Sequence, residues 1–362
     1  MPENDCIVTE LILVPRKVTL RQVARTANVS IPTVSRVLNR SARVSPEIEK
    51  RVRDAAVRLG RAMNARDSSR VLAFLLGNRP ITHPFHSEVM SGAEACCAER
   101  DYHMLFLTLR YPLRMRLTQL PMPRLLERRG TVAGLILAGV NSVSLVELLA
   151  KTGLPLAVFG TTVMEDGFGG YPIVNVDEAG GAIDMTRYLQ SLAHTAIRFV
   201  GNIRMPWLRR RYEAYRSTME AAGLEPLLNE FDSEDERRVG YLTTKSALDG
   251  PGTSTAIFAG NDHIAHGVYD ALRDRQIAVA EQMSVAGFND TLEAVVLHPA
   301  LTTVRVYAEQ VGRQLAELAL RQIEAGSPLP QTITIPTRLI KRESCMALTE
   351  LVNDFETPTQ RT

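Results

Sequence analysis

The sequence has little of what marks several classes of protein. Its four cysteines, Cys6, Cys96, Cys97 and Cys345, are scattered, with two adjacent. That spacing offers neither a disulfide framework nor paired Cys-x-x-Cys ligands, so reduced, buried thiols are expected. Long apolar runs are missing as well. The stretch Ile7 to Val14 is interrupted by Thr9 and Glu10, and it follows Glu3 and Asp5 rather than the basic start of a signal peptide. It is too short to span a bilayer and reads as an N-terminal extension, residues 1–17, of a cytoplasmic protein without a membrane partner. No apolar strand runs into a GxGxxG or GxxxxGK[ST] turn, which removes support for a dinucleotide or nucleoside triphosphate site, and no cofactor is expected. The glycines around Gly170 follow no strand and read as a loop. No Ser/His/Asp set, carboxylate pair or Cys/His pair stands out, so no catalytic residue is proposed and the chain is not read as an enzyme. His263 and His266 lie three apart on a helical stretch, but two histidines make an incomplete site and no metal is expected.

An excess of one charge is missing from the whole but not from its parts. Formal net charge is only +2 over 362 residues. Between Arg16 and Arg70, fourteen Lys/Arg face four Asp/Glu, giving +10, whereas the rest of the chain carries −8. A basic head on an acidic body implies a polyanionic partner for the head alone.

That head reads as three short helices. Thr19 can cap the first, and Gln22 three residues on completes a capping box. Leu20, Val23, Ala24 and Ala27 then fall on one face. Asn28 stands where a tight turn needs a left-handed residue. Ser30 caps the second helix, with Val34, Val37 and Leu38 inward. Pro32 lies in the first turn, where backbone N–H groups have no intrahelical partner. Ser45-Pro46 opens a third helix with Ile48, Val52, Ala55, Ala56 and Leu59 inward.

From Val71 onward, short apolar segments alternate with helical stretches: VLAFLL, HMLFLTL, VAGLILAGV, PLAVFG, PIVNV, AIRFVG, STAIFAG and MSVAGF. Such alternation predicts parallel sheets built from βαβ units, an α/β body behind an all-α head.

The run TLRQVARTANVSIPTVSRVLN, continued by VSPEIEKRVRDAAVRLG, resembles the helix-turn-helix head of the LacI/GalR transcriptional regulators. STAIFAGNDHIAHGVYDALRDRQIAVAEQMSVAGFNDT and PALTTVRV resemble the periplasmic-binding-protein-like core of the same family. The resemblance covers roughly residues 18 to 347. It implies a regulator, expected to be a repressor, that binds double-stranded palindromic operator DNA as a homodimer and responds to a small effector, expected to be a sugar, held between two doubly wound α/β lobes. The expected organisation is an extension (1–17), a helix-turn-helix domain (18–62), a hinge linker (63–70), a core (71–347) and a tail (348–362). Within the core, the N-lobe would comprise about 71–171 plus 308–335, and the C-lobe about 172–307 plus 336–347.

The second helix is expected to enter the major groove. Ser30, Thr33, Ser35 and Asn39 are short polar residues suited to phosphates, and Thr19 is placed with them at the DNA. Arg36 can reach a guanine bidentately. The family's selector positions carry Ile31 and Pro32 here, which read only shape and thymine methyls, so Arg36 takes most of the base reading. Asn64, Ala65 and Arg66 resemble the start of the family's hinge helix, but Ser68 stands where its minor-groove leucine is expected and the linker is shortened. Either the DNA is bent less or a residue such as Met63 supplies the wedge. In the core the resemblance places Phe85, His86, Trp207, Arg211, Asn261, Asn289 and Asp290 at the effector. For Phe85 and Trp207, plain packing is an equal alternative. Asp262 reads as a helix cap rather than a ligand contact. Gly160 stands where many sugar-responsive members have an acid. A transported-solute receptor would need an export signal and no basic head; a sugar-processing enzyme would need a catalytic set.

Overall fold

The computed structural model describes residues 19–39, 44–59, 69–114, 123, 126, 131–164, 169–250, 254–327 and 329–348. The chain divides after Ser68 into two compact units.

The first unit contains α1 (Leu20–Ala27), α2 (Ile31–Asn39) and α3 (Pro46–Arg58). The capping box at its start is reciprocal. The Gln22 N–H donates to Thr19 Oγ1 at 3.3 Å, and the Thr19 N–H donates to Gln22 Oε1 at 2.7 Å, so two otherwise orphaned donors are satisfied. Asn28 adopts φ 49° and ψ 53°, the left-handed turn that ends α1. Ser30 Oγ accepts from the Thr33 N–H at 3.3 Å and starts α2. Arg51 of α3 reaches back and donates from Nη2 to the carbonyls of Ala27 at 2.7 Å and Asn28 at 3.1 Å. Carbonyls at the end of a helix lack intrahelical donors, so this arginine ties the turn to the third helix. The enclosed core is small, built on Val23, Ala24, Ala27, Val34, Val37, Val52, Ala55 and Ala56.

The second unit holds two α/β lobes. In the N-lobe, β1 (Val71–Gly77), β2 (His103–Leu109), β3 (Gly134–Gly139), β4 (Leu156–Phe159), β5 (Ile173–Val176) and a late strand, β11 (Thr332–Ile335), form one parallel sheet in the order β11-β5-β4-β3-β1-β2. Helices α4 (Pro84–Glu99), α5 (Val143–Ala150) and α11 (Ala308–Ala325) pack on this sheet. All six residues of β3 are buried, which explains why a run such as GLILAG lacks polar alternation: helices cover both faces of a parallel sheet.

The C-lobe sheet runs β7-β6-β8-β9, from β6 (Ile197–Val200), β7 (Leu227–Asn229), β8 (Ala256–Ala259) and β9 (Ser284–Ala286). Its helices are α6 (Glu178–Ser191), α7 (Pro206–Ala221), α8 (Glu236–Asp249), α9 (Asp262–Asp274) and the short α10 (Leu292–Val296). An antiparallel pair, β10 (Thr303–Arg305) with β12 (Arg338–Ile340), accompanies the late crossings. One boundary differs from the sequence reading. β5 pairs with β4 and β11, so the first lobe extends through Val176 rather than stopping near residue 171.

In each sheet the strand order reverses beside the first strand of the lobe, between β1 and β3 and between β6 and β8. Open α/β sheets bind ligands outside the carboxyl ends of strands at such switch points. α11, which follows the C-lobe in sequence, returns to the N-lobe and lies tight against α4. A Cβ on Gly92 would meet the Glu309 carbonyl oxygen at 1.9 Å, and one on Gly312 would meet that of Val89 at 1.7 Å. Only glycine permits this approach.

Candidate functional site

Each unit presents one candidate surface. In the head, α2 turns Val34 and Val37 inward and leaves Ile31 and Arg36 on its outer side, with Ile31 41% exposed. Thr19, Ser30 and Pro32 are also exposed, and Thr33 and Ser35 are half-buried. Thr33 Oγ1 and Ser30 Oγ lie 2.8 Å apart in a hydrogen bond, so part of their capacity serves the cap. The side chains of Leu38 and Asn39 and the hinge positions Met63, Asn64, Ala65, Arg66 and Ser68 lie outside the described residues.

In the core, a cleft opens at the carboxyl ends of the strands of both lobes. Phe85, His86, Trp207, Arg211, Asn261 and Asn289 all line it. Asp290 does not. Its carboxylate is buried between Arg305 Nε and Arg342 Nη2, each at 2.6 Å, and serves as a structural anchor beside the antiparallel strands. Asp262 also departs from its expected role. The cap of α9 is Asn261, whose Oδ1 accepts from the Ile264 N–H at 2.8 Å. Asp262 is fully buried and accepts from the Thr291 N–H at 2.7 Å and Thr303 Oγ1 at 2.6 Å. Burial pushes its carboxyl up to about 7 against those hydrogen bonds.

Arg211 is the centre of the C-lobe wall. Its guanidinium pairs with Glu178, donates to the Gly260 carbonyl at 2.6 Å and to Asn289 Oδ1 at 3.0 Å, and lies 3.7 Å above the Phe288 ring. Both partners of the ion pair are 3% exposed. The planar fork is thus held by three acceptors within the protein.

Across the cleft, Arg79 on the loop after β1 meets Glu236 of α8 at 3.2 Å and lies 5.3 Å from the Trp207 ring centre. Burial opposes charge on Glu236, yet His83 and Arg79 overcome it and hold the carboxyl well below the usual carboxylate range. This pair ties the N-lobe to the C-lobe, as does Arg210, which donates to the Thr161 carbonyl. Phe85 stacks on Phe159 with centroids 5.9 Å apart, forming an apolar floor. His263 faces Glu293 at 3.3 Å, and among the described residues no group of three or more His, Cys, Asp or Glu is placed to hold a metal ion.

The sequence reading missed Arg79, His83, Phe159, Thr161, Thr162, Glu178 and Glu236, all in the lining. For Arg79, His83 and Glu178 a signal existed, since each closely follows an apolar strand. Glu236 had none, because α8 follows the weak strand Leu227–Asn229. Of the described cysteines, Cys96 and Cys97 are buried as expected and Cys345 is half-buried rather than buried; all three are free, and burial pushes the Cys97 thiol up to about 12. No helix among the described residues is long and apolar enough to cross a membrane.

A family model for bacterial regulatory proteins of the lacI family matches residues 19–61, and one for periplasmic binding protein-like domains matches residues 186–345. The HTH-type transcriptional regulator DegA of Bacillus subtilis (strain 168) is 27% identical over 343 residues, covering 92% of this chain and 99% of that protein. The ribose operon repressor of Escherichia coli (strain K12) is 28% identical over 343 residues, covering 90% and 99%. Among solved structures, a transcriptional regulator CelR in complex with cellobiose superposes with a TM-score of 0.67 at 26% identity, covering 91% of this chain and all of that one. The lac repressor dimer bound to operator shares the fold at a TM-score of 0.67 and 20% identity, covering 92% of this chain and all of that one.

Proposed function

This chain belongs to the LacI family of bacterial regulatory proteins, and from that premise we propose that its α2 reads the major groove chiefly through Arg36. The chain is a DNA-binding transcriptional regulator and not an enzyme. The observation that carries the assignment is the division of α2 into an inward pair, Val34 and Val37, and an outward pair, Ile31 and Arg36. Arg36 would take a guanine, while Ile31 and Pro32 would meet thymine methyls and groove shape. Short hydroxyls at Thr19, Ser30, Thr33 and Ser35 would fix the register on phosphates.

The regulator acts in the cytoplasm as a repressor and as a homodimer, because one head reads one half-site and a palindrome needs two. Leu292, Val295 and Val296 of α10 are 72%, 56% and 54% exposed. They lie at helical spacing and supply an apolar stripe of the kind a second copy covers. A small effector binds in the cleft between the lobes and changes their closure, which alters the separation of the two heads. Cellobiose occupies the related regulator CelR, and another relative is a ribose operon repressor, which supports a carbohydrate effector here.

The test is selection of genomic fragments by the purified protein. Expected is recovery of one palindromic motif, with binding that weakens steeply as salt rises. Arg36→Ala should relax selection at one position per half-site, at a cost of roughly 1–3 kcal/mol. Unselective recovery by the native protein, or unchanged selection by the variant, would sink the assignment.

A further inference from the structure

The acceptors named on the C-lobe side of the cleft are already engaged, while the N-lobe side carries buried nitrogens without a partner. On the C-lobe side, Glu178 and Asn289 Oδ1 are taken by Arg211, and Asn261 Oδ1 is taken by the Ile264 N–H. Glu236 is paired with Arg79. Even Thr161 Oγ1 already accepts from the Val176 N–H at 2.8 Å. Gly160 contributes no side-chain acceptor.

The N-lobe side is the reverse. Arg79 Nε, both ring nitrogens of His83 and Nδ1 of His86 are buried and make no hydrogen bond within the protein, with Glu236 3.8 Å from His83 Nε2; a neutral imidazole offers one N–H and one acceptor, and only a protonated one donates from both nitrogens. These groups line the cleft around the start of α4. That helix begins with Pro84, and its N-cap His83 makes no side-chain cap, so no side-chain cap occupies its first-turn amides. The Arg79 side chain is 10% exposed and His86 is 4% exposed.

A sugar hydroxyl brings a proton that needs an acceptor, whereas an ionised carboxylate brings only lone pairs. Resting on the reading of this cleft as the effector site, we infer that the effector is a carbohydrate acid, a uronate or aldonate, whose carboxylate sits at the start of α4 between Arg79, His83 and His86. Its apolar sugar face packs on Phe85, Phe159 and Trp207.

Charge balance adds a consequence. The two arginines of the cleft are matched by Glu236 and Glu178, so an incoming carboxylate is neutralised by a proton taken up on an imidazole. Burial, and then neighbouring His83 and Arg79, hold His86 well below the usual imidazole range, which keeps it neutral at pH 7. Facing the two imidazoles are Arg79 on their own loop, Glu236 on α8, and His263 on α9, itself paired with Glu293. A bound carboxylate reverses the sign of that field and raises the imidazole's affinity for a proton. Because the effector arrives with its own negative charge, it also competes with Glu236 for Arg79. A monoanion matches one imidazolium; a phosphate dianion exceeds it.

The experiment uses the full chain and matched probes: glucuronate, galacturonate and gluconate against glucose and galactose, with glucose 6-phosphate as a separate arm. Melting followed by Trp207 fluorescence ranks the probes, and calorimetry in two buffers of different ionisation enthalpy measures affinity and proton uptake. Expected is that at least one acid binds tenfold or more tightly than its neutral parent, takes up a proton, and loses affinity between pH 6 and pH 8. His86→Asn should remove most of the acid's advantage, and the native pH profile tests the same idea without a variant. Tighter binding of a neutral sugar or of the phosphate, binding of no probe, or an acid that takes up no proton would overturn the inference. DNA-fragment selection on the same preparation separates the outcomes: selective DNA recovery with failed acid binding removes this inference and leaves the regulator assignment standing.

Discussion

The head and the core solve the problem of burial in opposite ways. Among the described residues of the head, the fully buried ones are valines and alanines, and such small side chains remove little apolar area per residue. Its order depends on hydrogen bonds at helix ends: the Thr19 box, the Ser30 cap and Arg51 on the Ala27 and Asn28 carbonyls. The core buries Phe74, Phe159, Tyr215, Phe258 and Phe288 almost completely, and it can accept a charged pair in its cleft wall. A recognition module is thus held by its ends, and a sensing module by its middle.

The largest test of this contrast is Glu178→Ala. It strands the Arg211 charge in a buried site, and removal of one partner from such a pair costs roughly 3–5 kcal/mol. Trp207, the only tryptophan, lies in the core and reports the loss by fluorescence-monitored denaturation. A cost below about 1 kcal/mol would mean that water reaches the pair and that the core is not held by its middle.

A second test uses pH. The Asp262 carboxyl is raised to about 7 in the fold, above the value of about 3.9 for an unfolded chain. The fold therefore binds the proton more tightly, and this contribution is complete below pH 4 and lost as pH rises through 7. Stability should fall over that window with a slope of up to about 1.4 kcal/mol per pH unit. Asp262→Asn should flatten it, and an unchanged slope would assign the effect to another group.

The smallest effect belongs to the head. Thr19→Ala removes one cap and should cost about 1 kcal/mol. It should appear as faster amide exchange along α1 with no change in the Trp207 transition. A shift in that transition would show that the two units share their stability.

Legibility in the sequence followed the same division. The caps, the left-handed Asn28 and the inward stripe of each head helix are local, and local chemistry was enough to read them. The strands β1 to β6, β8 and β9 were legible because helix-covered parallel strands are largely apolar, whereas the short β7 and the late β10, β11 and β12 were not read as strands. What escaped depends on distance along the chain. Nothing near Arg79 announces Glu236, 157 residues away, and nothing near Asp290 announces Arg342, 52 residues on. Asp290 looked like a cleft acid because its partners, Arg305 at the end of β10 and Arg342 beyond β12, are brought to it only by the fold. The lobe boundary moved for the same reason, since β5 takes its place from a pairing with β11.

The return of α11 to α4 has a consequence for synthesis. The head is finished when its third helix leaves the ribosome, but the N-lobe must wait for α11 and β11, more than two hundred residues after β1. Gly92 and Gly312 make that late contact too close for a substitute to hold the place. Chains emerge far more slowly than helices form, so each molecule passes through a period in which the reader exists and the sensor does not. A chain released before residue 308 would keep the recognition surface and lose control over it.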